Sequence, residues 1–165
     1  MAYSLDEINH MTRTEFVAVF GSVFEDTPSI AVQSWQQQPF LDVNHLHQTM
    51  VQMVEQMSET AKLDLIRAHP DLGSRAKMAP ASVQEQASIG LDNLNMAEYS
   101  QFKTLNKCYQ TKFGFPLIMA VKDQTKEIIL AAFTTRLQNT PAVEQQQALI
   151  EINKIARFRL DDLID

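Results

Sequence analysis

The chain predicts an all-α fold, a single compact multi-helix bundle domain over residues 1–165. Three observations carry this. Helix-start signals recur, apolar residues repeat at spacings of three and four, and only four glycines interrupt 165 residues.

The elements follow in order. Ser4 with Glu7 and Thr12 with Glu15 fit the capping box, in which hydroxyl and carboxylate satisfy helix-end N–H groups reciprocally. Phe16, Val19, Phe20 and Val23 then form an apolar face, and Leu46, Met50, Met53 and Val54 form another. Pro70 disfavours the α conformation at His69, so the helix entering through Leu63 to Arg67 ends at or just before that histidine. Ser82 with Glu85 and Asn95 with Glu98 are two further starts. Thr140 precedes Pro141, which fits the first position of a last helix running to about Leu163. Its repeat is Leu149, Ile152, Ile155, Ala156 and Leu163. The count comes to seven to nine helices. One stretch stands apart. Phe113 to Val121 is apolar but broken by Gly114 and Pro116, and reads as a buried, largely extended segment between two helices.

Hydrophobic residues make up 45% and charged residues 21%, the balance of a globular protein with a core. A net charge of -6 argues against general nucleic-acid binding, which needs a basic face. No apolar run is long enough to span a bilayer. The acidic start Met1 to Glu7 does not resemble a signal peptide, and the end at Asp165 carries no peroxisomal tripeptide. Cys108 is the one cysteine, so no internal disulfide forms. A reducing cytosol is the expected compartment.

Among chemical candidates, His69 comes first. An imidazole titrates near pH ~6.5 and exchanges protons under physiological conditions. The alternative is a histidine that caps the helix carbonyls. Ser82, Glu85 and Gln86 place a hydroxyl, a carboxylate and an amide on one helical turn. Ser82 and Glu85 are also spaced as a capping box, and a helix start there would offer N–H groups to an anion. Arg159 falls inside the apolar stripe of the last helix, whereas Arg157 points away as a surface charge. An inward arginine needs a partner: a core carboxylate, or a ligand carboxylate or urea oxygen. Leu117, Ile118, Met119, Ala120 and Val121 offer main-chain groups to a polar ligand, or else bond to their neighbours inside the fold. His45 and His47 lie two apart and do not share a helix face, so no metal site is expected. Met50, Met53 and Met57 read as core filler.

Taken together, Leu65-Ile66-Arg67-Ala68-His69-Pro70-Asp71-Leu72, Ser82-x-x-Glu85-Gln86, Phe113-Gly114-Phe115-Pro116 and Ile155-Ala156-x-x-Arg159-Leu160 resemble the 2-oxo-4-hydroxy-4-carboxy-5-ureidoimidazoline (OHCU) decarboxylases. The resemblance extends over nearly the whole chain. It implies an all-α, cofactor-free homodimer that converts OHCU, a urate oxidation product, to (S)-allantoin. It implies His69 as catalytic histidine and Glu85 as a pocket residue, which would either orient His69 or crowd the substrate carboxylate as its catalytic part. Pro70, Ser82, Gln86, Arg159 and the main chain of Leu117 to Val121 would contact substrate. The chain departs from the family pattern at Glu25-Asp26-Thr27-Pro28-Ser29, where the family often has Glu-His-Ser-Pro-Trp, and at Leu117, where it has phenylalanine. The spacer between Pro70 and Ser82 is also short beside some members. Two other readings use the same residues: a ureide-binding module without turnover, and a helical scaffold in which His69 and Arg159 are structural.

Overall fold

The computed structural model describes residues 1–75 and 77–165. Nine helices and no strand are found among the described residues. They are α1 (Leu5–His10), α2 (Arg13–Phe20), α3 (Ser29–Trp35), α4 (Val43–Glu55), α5 (Glu59–Arg67), α6 (Pro80–Ser88), α7 (Met96–Phe113), α8 (Lys126–Arg136) and α9 (Pro141–Leu163). The expected all-α class is the one observed. No helix of the described residues is long and apolar enough to cross a membrane.

Most start signals act as expected. Ser4 and Thr12 close full capping boxes with Glu7 and Glu15. Both carboxyls are held below the ordinary carboxylate range by their bonds to the cap: for Glu7 the Ser4 backbone N–H first, for Glu15 the Thr12 hydroxyl first. The Asn95 side chain accepts from Glu98 N–H at 2.8 Å, and α9 opens at Pro141. Ser82 is the exception. The cap of α6 is Ala79, followed by Pro80 at the first helical position. The Ala79-Pro80 pair sets the start because proline brings the helical φ and lacks the N–H that a first turn leaves unbonded. Ser82 therefore sits inside the first turn and is not a cap.

The chain gathers into two compact units. The first comprises Met1–Leu65 and Asn153–Asp165. Its core stacks Phe16 against Phe20 and Phe40, with ring centroids 4.7 and 5.9 Å apart. Asn9 grips Phe40 reciprocally: Nδ2 donates to the Phe40 carbonyl at 2.9 Å, and the Phe40 N–H donates to Oδ1 at 2.7 Å. Tyr3 and Ile164 form a short parallel bridge that ties the two chain ends.

The second unit is Ile66–Ile152. Phe102, Tyr109 and Phe133 are fully buried, and Tyr109 packs against Phe113 at 4.5 Å. Each such aromatic contributes about 1.5–3 kcal/mol by leaving water. Gly114 ends α7 in the left-handed conformation, with φ 77°, and its N–H bonds the Gln110 carbonyl at 2.8 Å. This is the αL stop that glycine adopts without strain.

After that stop, residues 115–121 are non-helical, and all but Met119 are buried. A buried connection of this kind needs polar partners. The Ala120 N–H donates to Glu151 at 3.1 Å, and the Ile118 carbonyl accepts from Arg136. On α9 the buried face is Glu144, Ala148, Glu151, Ile152, Ile155, Ala156, Arg159 and Leu160. Leu149 and Leu163, expected in the stripe, lie at its half-buried margin.

Candidate active site

His69 is 8% exposed, and α5 ends two residues before it. Its N–H bonds the Ile66 carbonyl at 3.2 Å, a tight final turn that releases the chain into the Pro70 loop. Three consecutive residues of that loop are tethered. Gln86 Oε1 accepts from Gly73 N–H at 2.9 Å, and its Nε2 donates to the Asp71 carbonyl at 3.3 Å. Asn106 donates to the Leu72 carbonyl at 2.8 Å, and Gln110 donates to Asp71 Oδ1 at 2.6 Å. Just ahead of the loop, Arg67 Nε donates to the Gly114 carbonyl at 3.1 Å. The loop after His69 is thus held by side chains of α6 and α7, which orders a segment that would otherwise be mobile.

The same helix that holds this loop carries the other candidates. On α6, Ser82 and Glu85 are three apart and Ser82 and Gln86 four apart, so all three share a face. Ser82 and Gln86 are buried, and Glu85 is half-buried. Gln86, expected to contact substrate, bonds the backbone of the His69 loop at both ends of its amide. Sequence reasoning missed this second role, as well as Asn106 and Gln110.

Arg159 belongs to the first unit and is 6% exposed, so the stripe argument placed it correctly. Its Nη1 lies 3.0 Å from Glu25 Oε2, with the Val23 and Ser22 carbonyls at 3.3 and 3.4 Å. Glu25 is 3% exposed. In the loop that departs from the family pattern, Glu25 is a position that keeps it, and this residue brings a carboxylate to the inward arginine. Arg157 is partly exposed and pairs with Asp161 at 2.8 Å. Among the described residues no group of three or more potential metal ligands is found. His45 Nδ1 accepts from Leu41 N–H at 3.1 Å, and His47 Nε2 lies 2.8 Å from the Asn153 carbonyl.

Side chains of α6 and α7 thus fix the loop that follows the buried His69, and the same α6 carries a hydroxyl and a carboxylate on one face, the kinds of group an acid–base site uses. Comparison with known proteins makes this class specific. The family description OHCU decarboxylase matches residues 9–161. A 2-oxo-4-hydroxy-4-carboxy-5-ureidoimidazoline decarboxylase of Halalkalicoccus jeotgali is 43% identical, over 97% of this chain and 91% of that protein. A bifunctional uric acid degradation protein of Bacillus subtilis is 42% identical, over 98% of this chain but only 33% of its own length. A crystal structure of (S)-allantoin synthase superposes with a TM-score of 0.78 at 29% identity, covering 99% of this chain and 55% of that one. The chain belongs to the OHCU decarboxylase family.

Proposed function

We infer that this chain is a carboxy-lyase that converts OHCU to (S)-allantoin in urate degradation. Family membership supports the reaction. The observation that carries the site is the buried His69 on a loop tethered at three successive residues from the helix bearing Glu85 and its neighbour.

The chemistry follows from the substrate. When CO2 leaves, the electron pair of the breaking C–C bond needs an acceptor. In OHCU the carbon bearing the carboxylate adjoins a C=N bond, which takes that pair. The protein's task is then to align the carboxylate with the imine π system, to manage the proton of the neighbouring hydroxyl, and to direct reprotonation to one face. His69 exchanges the proton at the hydroxyl or carboxylate. Glu85 orients His69 or stands against the substrate carboxylate. Pro70, Ser82 and Gln86 contact substrate beside them, and the main chain of Leu117 to Val121 supplies hydrogen bonds. Arg159 binds a ureido or carbonyl oxygen. The chain acts as one domain in a homodimer in the cytosol; the family resemblance supports the dimer, and the lone Cys108 fits a reducing compartment.

Circular dichroism of OHCU decay tests this, with substrate made fresh from urate. The wild-type chain is expected to give fast decay to a lasting optical signal. His69→Asn is expected to slow turnover by roughly 10²–10⁴-fold while keeping the far-ultraviolet helical spectrum. Near-normal turnover by a folded His69→Asn variant removes His69 from the chemistry. Decay at the uncatalysed rate to a racemate with the wild-type chain moves the ureide-binding module into first place.

A further inference from the structure

In the segment 117–121, side chains of two later helices grip alternate residues, and the chain is closed at its end by the Val121 carbonyl, which accepts from Gln124 N–H at 3.0 Å. In an extended backbone, residues two apart turn their N–H and C=O groups toward the same edge. Ile118 and Ala120 are two apart, and both are engaged. Arg136, near the end of α8, donates through Nη1 to the Ile118 carbonyl. Glu151, on α9, accepts the Ala120 N–H through Oε2 at 3.1 Å. The backbones of Leu117 and Met119 make no hydrogen bond to a described residue. Met119 is also the least buried residue of the five.

The two gripping side chains are themselves fixed. Gln147 donates to Glu151 Oε1 at 3.2 Å. Arg136 Nε donates to Glu144 at 2.7 Å, and Glu144 also accepts from Tyr109 and, at 2.8 Å, from Asn139. Glu151 is 8% exposed, and placing a carboxylate there is costly unless donors surround it. An apolar residue would fill the stripe of α9 more cheaply. Among its contacts, the carboxylate provides a fixed acceptor for the Ala120 N–H.

We propose that Glu151, with Arg136, is a positioning residue for the decarboxylation: it locks the Ile118–Ala120 edge so that the opposite edge, at Leu117 and Met119, faces substrate in one register. This rests on the reading of 117–121 as a substrate wall. A substrate ureide carries adjacent N–H and C=O groups, which match the donor and acceptor that one extended residue turns to the same edge. Glu151 does not touch substrate. Its loss is expected to weaken substrate binding before it affects the bond-breaking step.

The test compares Glu151→Gln, which keeps an acceptor for Ala120 N–H, with Glu151→Leu, which removes it. Steady-state OHCU kinetics are expected to give a KM within about threefold of wild type for Glu151→Gln. For Glu151→Leu the KM is expected to rise tenfold or more, with kcat changed less than threefold. Should Glu151→Leu not fold, Gln147→Ala removes the side chain that holds the other carboxylate oxygen, and is expected to raise KM about threefold. Backbone amide shifts on titrating (S)-allantoin into the wild-type chain separate the two layers. Perturbed Leu117 and Met119 amides support the wall. Perturbed amides with an unchanged KM in folded Glu151→Leu, or in Gln147→Ala where Glu151→Leu does not fold, overturn the positioning role alone. Silent amides at Leu117, Met119 and Val121, with shifts elsewhere, overturn the wall and the proposal together.

Discussion

Among the described residues each unit holds a buried arginine–glutamate pair, and the two are built in opposite senses. In the first unit the arginine is the hub: Arg159 Nη1 spreads over Glu25, Val23 and Ser22 at 3.0–3.4 Å. In the second the carboxylate is the hub: Glu144 collects Arg136, Tyr109 and Asn139, with the arginine at 2.7 Å and the asparagine at 2.8 Å. The tight cluster distributes a buried charge over short donors and fits a fixed structural element. The other joins a guanidinium to one carboxylate and to two backbone carbonyls of the segment that carries it. A buried pair is weak evidence of stability by itself, so the kind of partner each charge gathers, side chains around Glu144 and backbone carbonyls beside Glu25 at Arg159, is the informative part.

Three variants probe that contrast. Glu144→Leu leaves Arg136 buried without its counter-charge and is expected to cost about 3–5 kcal/mol, read from the urea midpoint. A loss below about 1 kcal/mol would mean that the cluster is not the anchor described. Arg159→Ala removes one partner of the buried Glu25, with an expected loss of about 2–3 kcal/mol. Its distinguishing outcome is kinetic: KM for OHCU rises about tenfold. An unchanged KM, with the stability loss intact, assigns Arg159 to the fold alone. Tyr109→Phe removes one of three donors to Glu144 and costs about 1 kcal/mol near neutral pH. Burial, then the bond to Glu144, holds the Tyr109 phenol well above its ordinary 10.0. The unfolded chain releases that proton near pH 10 while the folded chain keeps it. Stability present below that pH therefore falls as pH rises beyond it. Tyr109→Phe is expected to flatten this alkaline slope in denaturation measured from pH 8 to 11, and an equal slope in both proteins would locate the proton elsewhere.

Much of this was legible in the chain, for reasons particular to each element. Capping chemistry is local, so the starts at Ser4, Thr12 and Asn95 could be read from four residues each. Ser82 misled because proline two residues earlier had already begun the helix. Arg159 was found through helical phase, whereas its partner Glu25 lies 134 residues away. No local pattern names such a partner. Arg136 was legible but overlooked. It follows Ile129 and Phe133 at spacings of seven and three, the same inward stripe that exposed Arg159. The two carboxylates of α9, Glu144 and Glu151, sit seven apart on its buried face, and acidic residues in that phase are the signal for an internal polar clamp. The expectation of a buried, largely extended segment over Phe113–Val121 holds in part: residues 115–121 are non-helical and mostly buried, whereas Phe113 closes α7 and Gly114 is exposed. Its partners were not legible, since they come from two later helices.

Gly73 lies four residues beyond His69 with φ 70°, and its N–H is held by Gln86. A methyl group there would come within 3.0 Å of both Leu94 and Phe102. Two separate penalties, a conformation that L side chains rarely adopt and a collision with the hydrophobic interior, fall on the same atom. A side chain at this position therefore meets strain in its own backbone and crowding from Leu94 and Phe102 together. Four residues past the imidazole, the turn keeps its course against the interior because a carbon is missing there.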